Sequence, residues 1–301
     1  MYLHEDRELF REVLDNTRDM TGLPVRIIEK DYYVTVILKL ISLNTENAVF
    51  KGGTSLSKCY HAISRFSEDI DITFTEHIGK SRRKHLKYDV MGKISGELGM
   101  PIGNWDSIQS DRDYNCYYFS YESVEPGETE QMLSSVKLET ALASYSFPVN
   151  KMTVGSYVSQ YLMQENLDIL EEYNLQDFDM NVQSLERTFL DKVFALCDYY
   201  MQGKSRRYSR HLYDIAKLMP MITMDEGFRE LAKKVREHRK QMTICPSAKD
   251  GVSVPDLIKE FCGNDFFKKD YEEITHYFVS EPVPYRETVR SILGFADTGI
   301  V

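Results

Sequence analysis

The stretch FKGGTSLSKCYHAISRFSEDIDITF, Phe50 to Phe74, decides the reading. The short apolar run AVFK, from Ala48 to Lys51, meets Gly52-Gly53, which predicts a strand ending in a tight turn. A helix is expected next. Thr54 or Ser55 would cap it, and Leu56, Cys59, Tyr60 and Ile63 would form one buried face. The period then changes to two. Ile70, Ile72 and Phe74 point one way, while Asp69, Asp71 and Thr73 point the other. Two carboxylates on one strand face repel each other, and a metal ion is the first candidate to offset that repulsion.

The neighbours of the pair suit such an ion. Glycines let a backbone approach a ligand closely. A helix start offers N–H groups and a positive dipole end to phosphate, and the Thr54 and Ser55 hydroxyls can add donors. Paired carboxylates suit hard cations such as Mg²⁺, which take oxygen ligands and bridge to substrate phosphates. A third acid on a neighbouring strand would complete a two-metal clamp for in-line displacement. Glu139 has that alternation, in a strand SSVKLETAL where Val136 and Leu138 face one way and Lys137 and Glu139 the other. The set is an arrangement for phosphoryl or nucleotidyl transfer. Each part alone has a plainer reading, as an ordinary turn or a solvated strand. Their strand–turn–helix–strand order raises the signal.

Outward from this core the chain is mixed α/β first and helical later. RIIEKDYYVTVILKLIS, after Pro24, reads as a strongly apolar helix. Another helix is expected from Ser81 to Leu98. NCYYFSYES, from Asn115, reads as a strand, with a turn around Gly127 leading to the Glu139 strand. Residues 1–150 are taken as the catalytic core with N-terminal helices, and 151–301 as a mostly helical portion. There, SLERTFLDKVFALCDYYMQG forms a helix capped by Ser184 and ended by Gly203. SRHLYDIAKLMP follows, capped by Ser209 and stopped before Pro220. A loop is expected near Pro246 to Pro255.

Bulk properties exclude several classes. The 301 residues, 42% hydrophobic and 28% charged, suit a globular protein with a sizeable core. No spanning apolar stretch and no signal-peptide core are seen, so a cytoplasmic protein without membrane contact is expected. The five scattered cysteines lack a C-x-x-C pair, and the seven histidines lack ligand spacing, which argues against disulfides and zinc. The net charge of −10 argues against non-specific coating of nucleic acid. Three basic runs remain, Lys80–Lys87, Lys204–His211 and Lys233–Lys240, each readable as a solvated helix face. Tyr208, beside the second run, is the tyrosine to test for base stacking. Lys51 and Lys58 flank the turn within reach of a phosphate. Arg65 and Glu68, in the loop before Asp69, can pair to fix that loop or contact substrate.

GGTSLSK followed by RFSEDIDI resembles the AbiEii/AbiGii toxin family of the nucleotidyltransferase superfamily. EKDYYV (Glu29–Val34), LERTFLDKVFAL (Leu185–Leu196) and SRHLYDIAKL (Ser209–Leu218) add to the resemblance, which spans roughly residues 25 to 220. It implies a DNA polymerase β-like fold, with a small mixed sheet flanked by helices and a helical C-terminal portion. It also implies an NTP-dependent, pyrophosphate-releasing nucleotidyltransferase using Mg²⁺ or Mn²⁺. Such a toxin acts in a toxin–antitoxin or phage-defence pair, with an antitoxin working directly or at the gene level and an RNA acceptor, tRNA in some relatives. Carried over by position, Gly52, Gly53, Thr54 and Ser55 would hold the triphosphate, and Asp69, Asp71 and Glu139 the metals. Glu139 stands where many superfamily members have Asp, and would serve as base or only as ligand. Lys192 would neutralise the triphosphate, and Asp214 would orient Lys192 or touch nucleotide or acceptor. For Lys192 and Asp214 alone, an exposed lysine and an Arg210–Asp214 pair at i, i+4 are the plainer readings. Transfer to a small molecule or protein, and a non-catalytic nucleotide-binding module, are the other functions that fit these residues.

Overall fold

Pro24 fixes the entry to a helix that is buried on nearly every side. The computed structural model that contains it describes residues 1–65, 67, 69–125 and 134–301, with the backbone alone at 277 and 278. The chain divides into two compact units, Met1–Cys59 with Glu68–Val182, and Tyr60–Ser67 with Gln183–Val301.

The first unit opens with α1 (Arg7–Thr21), capped where the Asp6 carboxylate accepts from the Leu9 N–H at 3.1 Å. Then comes α2 (Val25–Asn44), whose Ile28, Tyr32, Tyr33, Val34, Ile37, Leu38 and Ile41 are all buried. A helix apolar all round belongs inside a core. The remaining elements are β1 (Ala48–Lys51), α3 (Gly52–Lys58), β2 (Ile70–Phe74) and α4 (Lys80–His85), which runs through a π-helical stretch into α5 (Gly92–Glu97). Next are β3 (Tyr114–Ser120), β4 (Ser135–Ala141), β5 (Val149–Val154), α6 (Tyr157–Glu165), α7 (Leu167–Glu172) and β6 (Phe178–Gln183).

The strands form one mixed sheet in the order β3-β4-β2-β1-β6-β5. β2 pairs antiparallel with β1 and parallel with β4, and β3 pairs antiparallel with β4. Ile70, Ile72, Phe74, Val136, Leu138, Tyr117 and Phe119 are buried on one face. That apolar face fixes the register, because a slip of one residue would turn every carboxylate inward.

The second unit is helical: α8 (Leu185–Met201), α9 (Arg210–Leu218), α10 (Glu226–Lys240), α11 (Val254–Gly263), α12 (Lys268–Glu273) and α13 (Tyr285–Ala296). The Ser184 hydroxyl caps α8 by accepting from the Arg187 N–H. Phe189 of α8 meets Phe295 of α13 edge-on at 4.9 Å, within a core that includes Val193, Leu212, Ile215 and Phe228.

Several expectations need correction. α3 starts at Gly52 with Lys51 at its cap position, so Thr54 and Ser55 lie inside it and cap nothing. It ends at Lys58, so Tyr60 and Ile63 fall outside the helix and belong to the second unit. Ser209 does not cap α9 through its side chain, because its hydroxyl is bonded to Thr275 instead. The sheet also continues past residue 150, through β5 and β6. The turn expected at Gly127 lies outside the described residues. Among the described residues, no helix is long and apolar enough to cross a membrane.

Candidate active site

Parallel pairing of β2 with β4 places Asp71 directly opposite Glu139. Two carboxylates so placed resist ionising together. Burial, above all, pushes the Asp71 carboxyl up to about 7; Lys51 opposes this, while Glu139 and Asp69 add to it. Burial pushes Glu139 the same way. Its hydrogen bonds from Lys137 and Tyr114 prevail, however, and hold it below the usual carboxylate range. The Tyr114 hydroxyl donates to Glu139 Oε1 at 2.7 Å. Lys137 pairs with Glu139 and also lies 3.4 Å from Asp69 Oδ2. One ammonium thus bridges the two outer acids.

The glycine turn lies against this cluster. Gly52 has φ +80, and a side chain there would put its Cβ 1.9 Å from Asp71 Oδ2. Only glycine satisfies both the backbone and the carboxylate. Thr54 and Ser55 are buried and donate inward, Thr54 Oγ1 to the Asp69 carbonyl at 2.6 Å and Ser55 Oγ to the Gly52 carbonyl at 2.9 Å. Their hydroxyl hydrogens are already used, so these side chains shape the turn rather than offer donors to a ligand. Thr54 ties the turn to the residue that opens the acidic strand.

Lys192 and Asp214 meet in the second unit. Lys192 Nζ donates to Asp214 Oδ2 at 2.6 Å, and the pair is buried. Arg65 completes the group with two bonds, Nε to Oδ1 at 2.7 Å and Nη2 to Oδ2 at 2.8 Å. Burial raises the Asp214 carboxyl, but Arg65 and then Lys192 outweigh it and hold it far below the ordinary range. Burial draws Lys192 downward against the pull of Asp214. Asp214 thus accepts from both Lys192 and Arg65, and Arg65 takes the place that helical spacing suggests for Arg210. The expected partner Glu68 lies outside the described residues. Lys58 is committed elsewhere, in an ion pair with Asp31.

Lys137 and Tyr114 were not singled out from the sequence as parts of the site, and Arg65 was expected to fix its loop or touch substrate rather than to pair with Asp214. Lys137 had a signal, since it shares the strand face of Glu139 two residues away. Tyr114 needed the β3–β4 register. Arg65 had no local signal as a partner of Asp214, which is 149 positions away.

Among the described residues, no group of three His, Cys, Asp or Glu side chains stands ready as a metal cage. The donors nevertheless fit a hard cation. All are carboxylate oxygens, Asp71 and Glu139 face each other across paired strands, and a lysine ammonium already occupies the gap between Asp69 and Glu139.

Register-paired carboxylates behind a glycine turn in a mixed sheet define a nucleotidyltransferase class of core. The family model described as nucleotidyl transferase AbiEii toxin, type IV toxin–antitoxin system, matches residues 38–292, and the chain belongs to that family. It is a nucleotidyltransferase toxin with an NTP substrate and an antitoxin partner. A similar solved structure is MenT4, a nucleotidyltransferase toxin from Mycobacterium tuberculosis H37Rv. It is 16% identical, with a TM-score of 0.52 over 94% of this chain and 87% of that one, a likeness of fold. Among curated proteins no match was found.

Proposed function

We propose that the protein transfers a nucleoside monophosphate from an NTP to a hydroxyl of RNA, with tRNA as the acceptor, in a reaction that requires Mg²⁺ or Mn²⁺. The acceptor oxygen bonds to the α-phosphorus, the bond to the β-phosphate breaks, pyrophosphate leaves, and the hydroxyl proton passes to solvent. The pairing of Asp71 with Glu139 beside the Gly52 turn carries this reading. Asp69, Asp71 and Glu139 would hold the metal, which supplies charge neutralisation at the transferring phosphate. The backbone at Gly52 and Gly53 receives the triphosphate, with Thr54 and Ser55 holding its shape. Glu139, kept ionised by Tyr114 and Lys137, suits a ligand and hydrogen-bond acceptor better than a strong base. Lys192, aimed by Asp214 and Arg65, neutralises the triphosphate. The setting is the cytoplasm, and the biological role is phage defence held in check by the antitoxin.

Incubation with α-labelled NTPs, Mg²⁺ and total RNA tests this. Label is expected on RNA in the tRNA size range. Label on protein alone would move the acceptor to another class, and nucleotide binding without transfer would leave a binding module.

A further inference from the structure

The three basic runs of the sequence have different fates. In the run from Lys80 to Lys87, Arg83 and Lys87 are buried and Arg82 pairs with Glu76. In the run from Lys233 to Lys240, Arg239 pairs with Asp191 and Asp198, Lys240 with Asp250, and Arg236 donates to the Val252 carbonyl. In the run from Lys204 to His211, the exposed Lys204, Arg206, Arg207 and Arg210 have no ion-pair partner among the described residues. Acids outnumber bases 47 to 37 in this chain, so four cations left together without a carboxylate call for a reason.

The backbone that displays them is built for it. Asp270 is buried and close by, yet among the described residues it pairs with no guanidinium. Its two oxygens accept the Arg207 N–H at 2.7 Å and the Ser209 N–H at 3.1 Å. Arg207 is held at φ +70, a conformation that long side chains rarely adopt. The bond between the Ser209 and Thr275 hydroxyls, at 2.7 Å, fixes the loop's exit. One carboxylate therefore holds the loop while its cations stay in solvent.

Aromatic rings stand within the same run. Tyr208 stacks on Tyr199 at 3.6 Å, and Tyr199 stacks on His211 at 5.9 Å. The Nδ1 of His211 is buried without a hydrogen-bond partner among the described residues. Unpaired cations interleaved with stacked rings are the chemistry that tracks a single-stranded nucleic acid.

We propose that the loop from Lys204 to His211 docks the single-stranded end of the RNA acceptor, with phosphates on Lys204, Arg206, Arg207 and Arg210 and a base on Tyr208. This rests on the RNA-acceptor reading above. Charge complementarity selects the occupant, since a protein of net charge −10 needs a local cationic ledge to hold a polyanion.

The test compares wild type with Arg206→Ala/Arg210→Ala, Arg206→Lys/Arg210→Lys and Tyr208→Ala. Transfer of α-labelled NTP is followed against bulk tRNA concentration, and binding of a fluorescein-labelled single-stranded RNA is followed against salt. The double alanine variant is expected to raise KM for RNA about tenfold or more with kcat nearly unchanged. Its salt slope should fall by about 1.4, the share of two single-strand phosphate contacts. The double lysine variant should restore both, and Tyr208→Ala should weaken RNA binding with the salt slope intact. If wild type labels RNA but the alanine variant keeps its KM and slope, the docking surface is overturned while the acceptor reading stands. If that variant instead loses only neutralisation by the antitoxin, the loop is a protein interface and the proposal fails. If wild type labels no RNA, the acceptor reading falls and takes this proposal with it.

Discussion

Asp71 of β2 and Glu139 of β4 occupy paired positions on parallel strands, and the Glu139 and Asp69 charges add to burial in resisting ionisation of Asp71. Carboxylates paired in this way disfavour the metal-free protein, which supports the metal-holding role proposed for them. Asp71→Asn should therefore reduce nucleotidyl transfer by on the order of 10³-fold, as loss of a transition-state electrostatic partner does. Thermal melting in chelator should give a melting temperature equal to or above that of wild type, because an amide removes the carboxylate repulsion. A variant that unfolds would show that Asp71 is structural. Asp69→Ala should behave alike.

Gly52 tests the turn. At φ +80, with Asp71 Oδ2 only 1.9 Å from where a Cβ would stand, Gly52→Ala faces both backbone strain and a collision. The substitution should cost about 1–3 kcal/mol of stability and displace the carboxylate. Transfer should fall more than the loss of folded protein explains. Urea unfolding beside activity per folded molecule separates the two, and wild-type activity in a folded variant would remove Gly52 from the site.

The core of the site was legible because local patterns carried it. The change of period at Ile70, the glycine pair and the apolar Glu139 strand are readable from neighbours alone. β5 escaped because it has little buried surface and hence no clear alternation. β6, FDMNVQ, alternates strictly between apolar Phe178, Met180 and Val182 and polar Asp179, Asn181 and Gln183, so its strand period is readable and only its place in the sheet is not. Residues 60–65 and 67 sit between α3 and β2 in sequence yet pack with the second unit, and no periodicity reports that. The Arg65–Asp214 bonds likewise join residues too distant in sequence for any spacing rule.

Lys137 bridges Asp69 and Glu139 where a divalent ion would compete for the same oxygens. EDTA should abolish transfer, and Mg²⁺ or Mn²⁺ should restore it. Lys137→Met should tighten Mg²⁺ binding by about tenfold, since removing a competing cation leaves the acids more exposed to one another. Calorimetric titration of the nucleotide-free protein checks this. Weaker Mg²⁺ binding in the variant would mean that Lys137 supports the site instead of competing for it.

Tyr114 donates to Glu139 through a single 2.7 Å bond while the residue is 52% exposed, so its hydroxyl can be removed without emptying a core. Tyr114→Phe should leave the fold unchanged and lower kcat about tenfold, the scale of one hydrogen bond to a charged group. The pH–rate profile should move toward higher pH on its acid limb, because Glu139 loses one of the bonds that lower its pKa. An unchanged profile with reduced kcat would assign Tyr114 to substrate contact alone.

Asp214 differs from Asp71 in the sign of its shift. Arg65 and Lys192 overcome its burial and hold its carboxyl far below the ordinary range. The folded protein thus stays unprotonated there when the unfolded chain, with a carboxyl near pKa 4, has begun to take up a proton. The stabilisation from this ionisation is fully present above that value and declines as pH falls below about 4. Asp214→Asn should lose it at every pH. Its cost at pH 7 should be about 3–5 kcal/mol, because two buried cations lose their carboxylate. Lys192→Met should cost much less, since Arg65 keeps both of its bonds to Asp214, yet it should remove most of the transfer activity. Urea unfolding at pH 7, 5, 4 and 3.5 should therefore show a wide gap between wild type and Asp214→Asn that narrows only at the acid end. A gap that stays constant down to pH 3.5 would place the acid transition in other carboxylates. A Lys192→Met variant as unstable as Asp214→Asn would make the lysine a structural ion-pair member rather than the cation for the triphosphate.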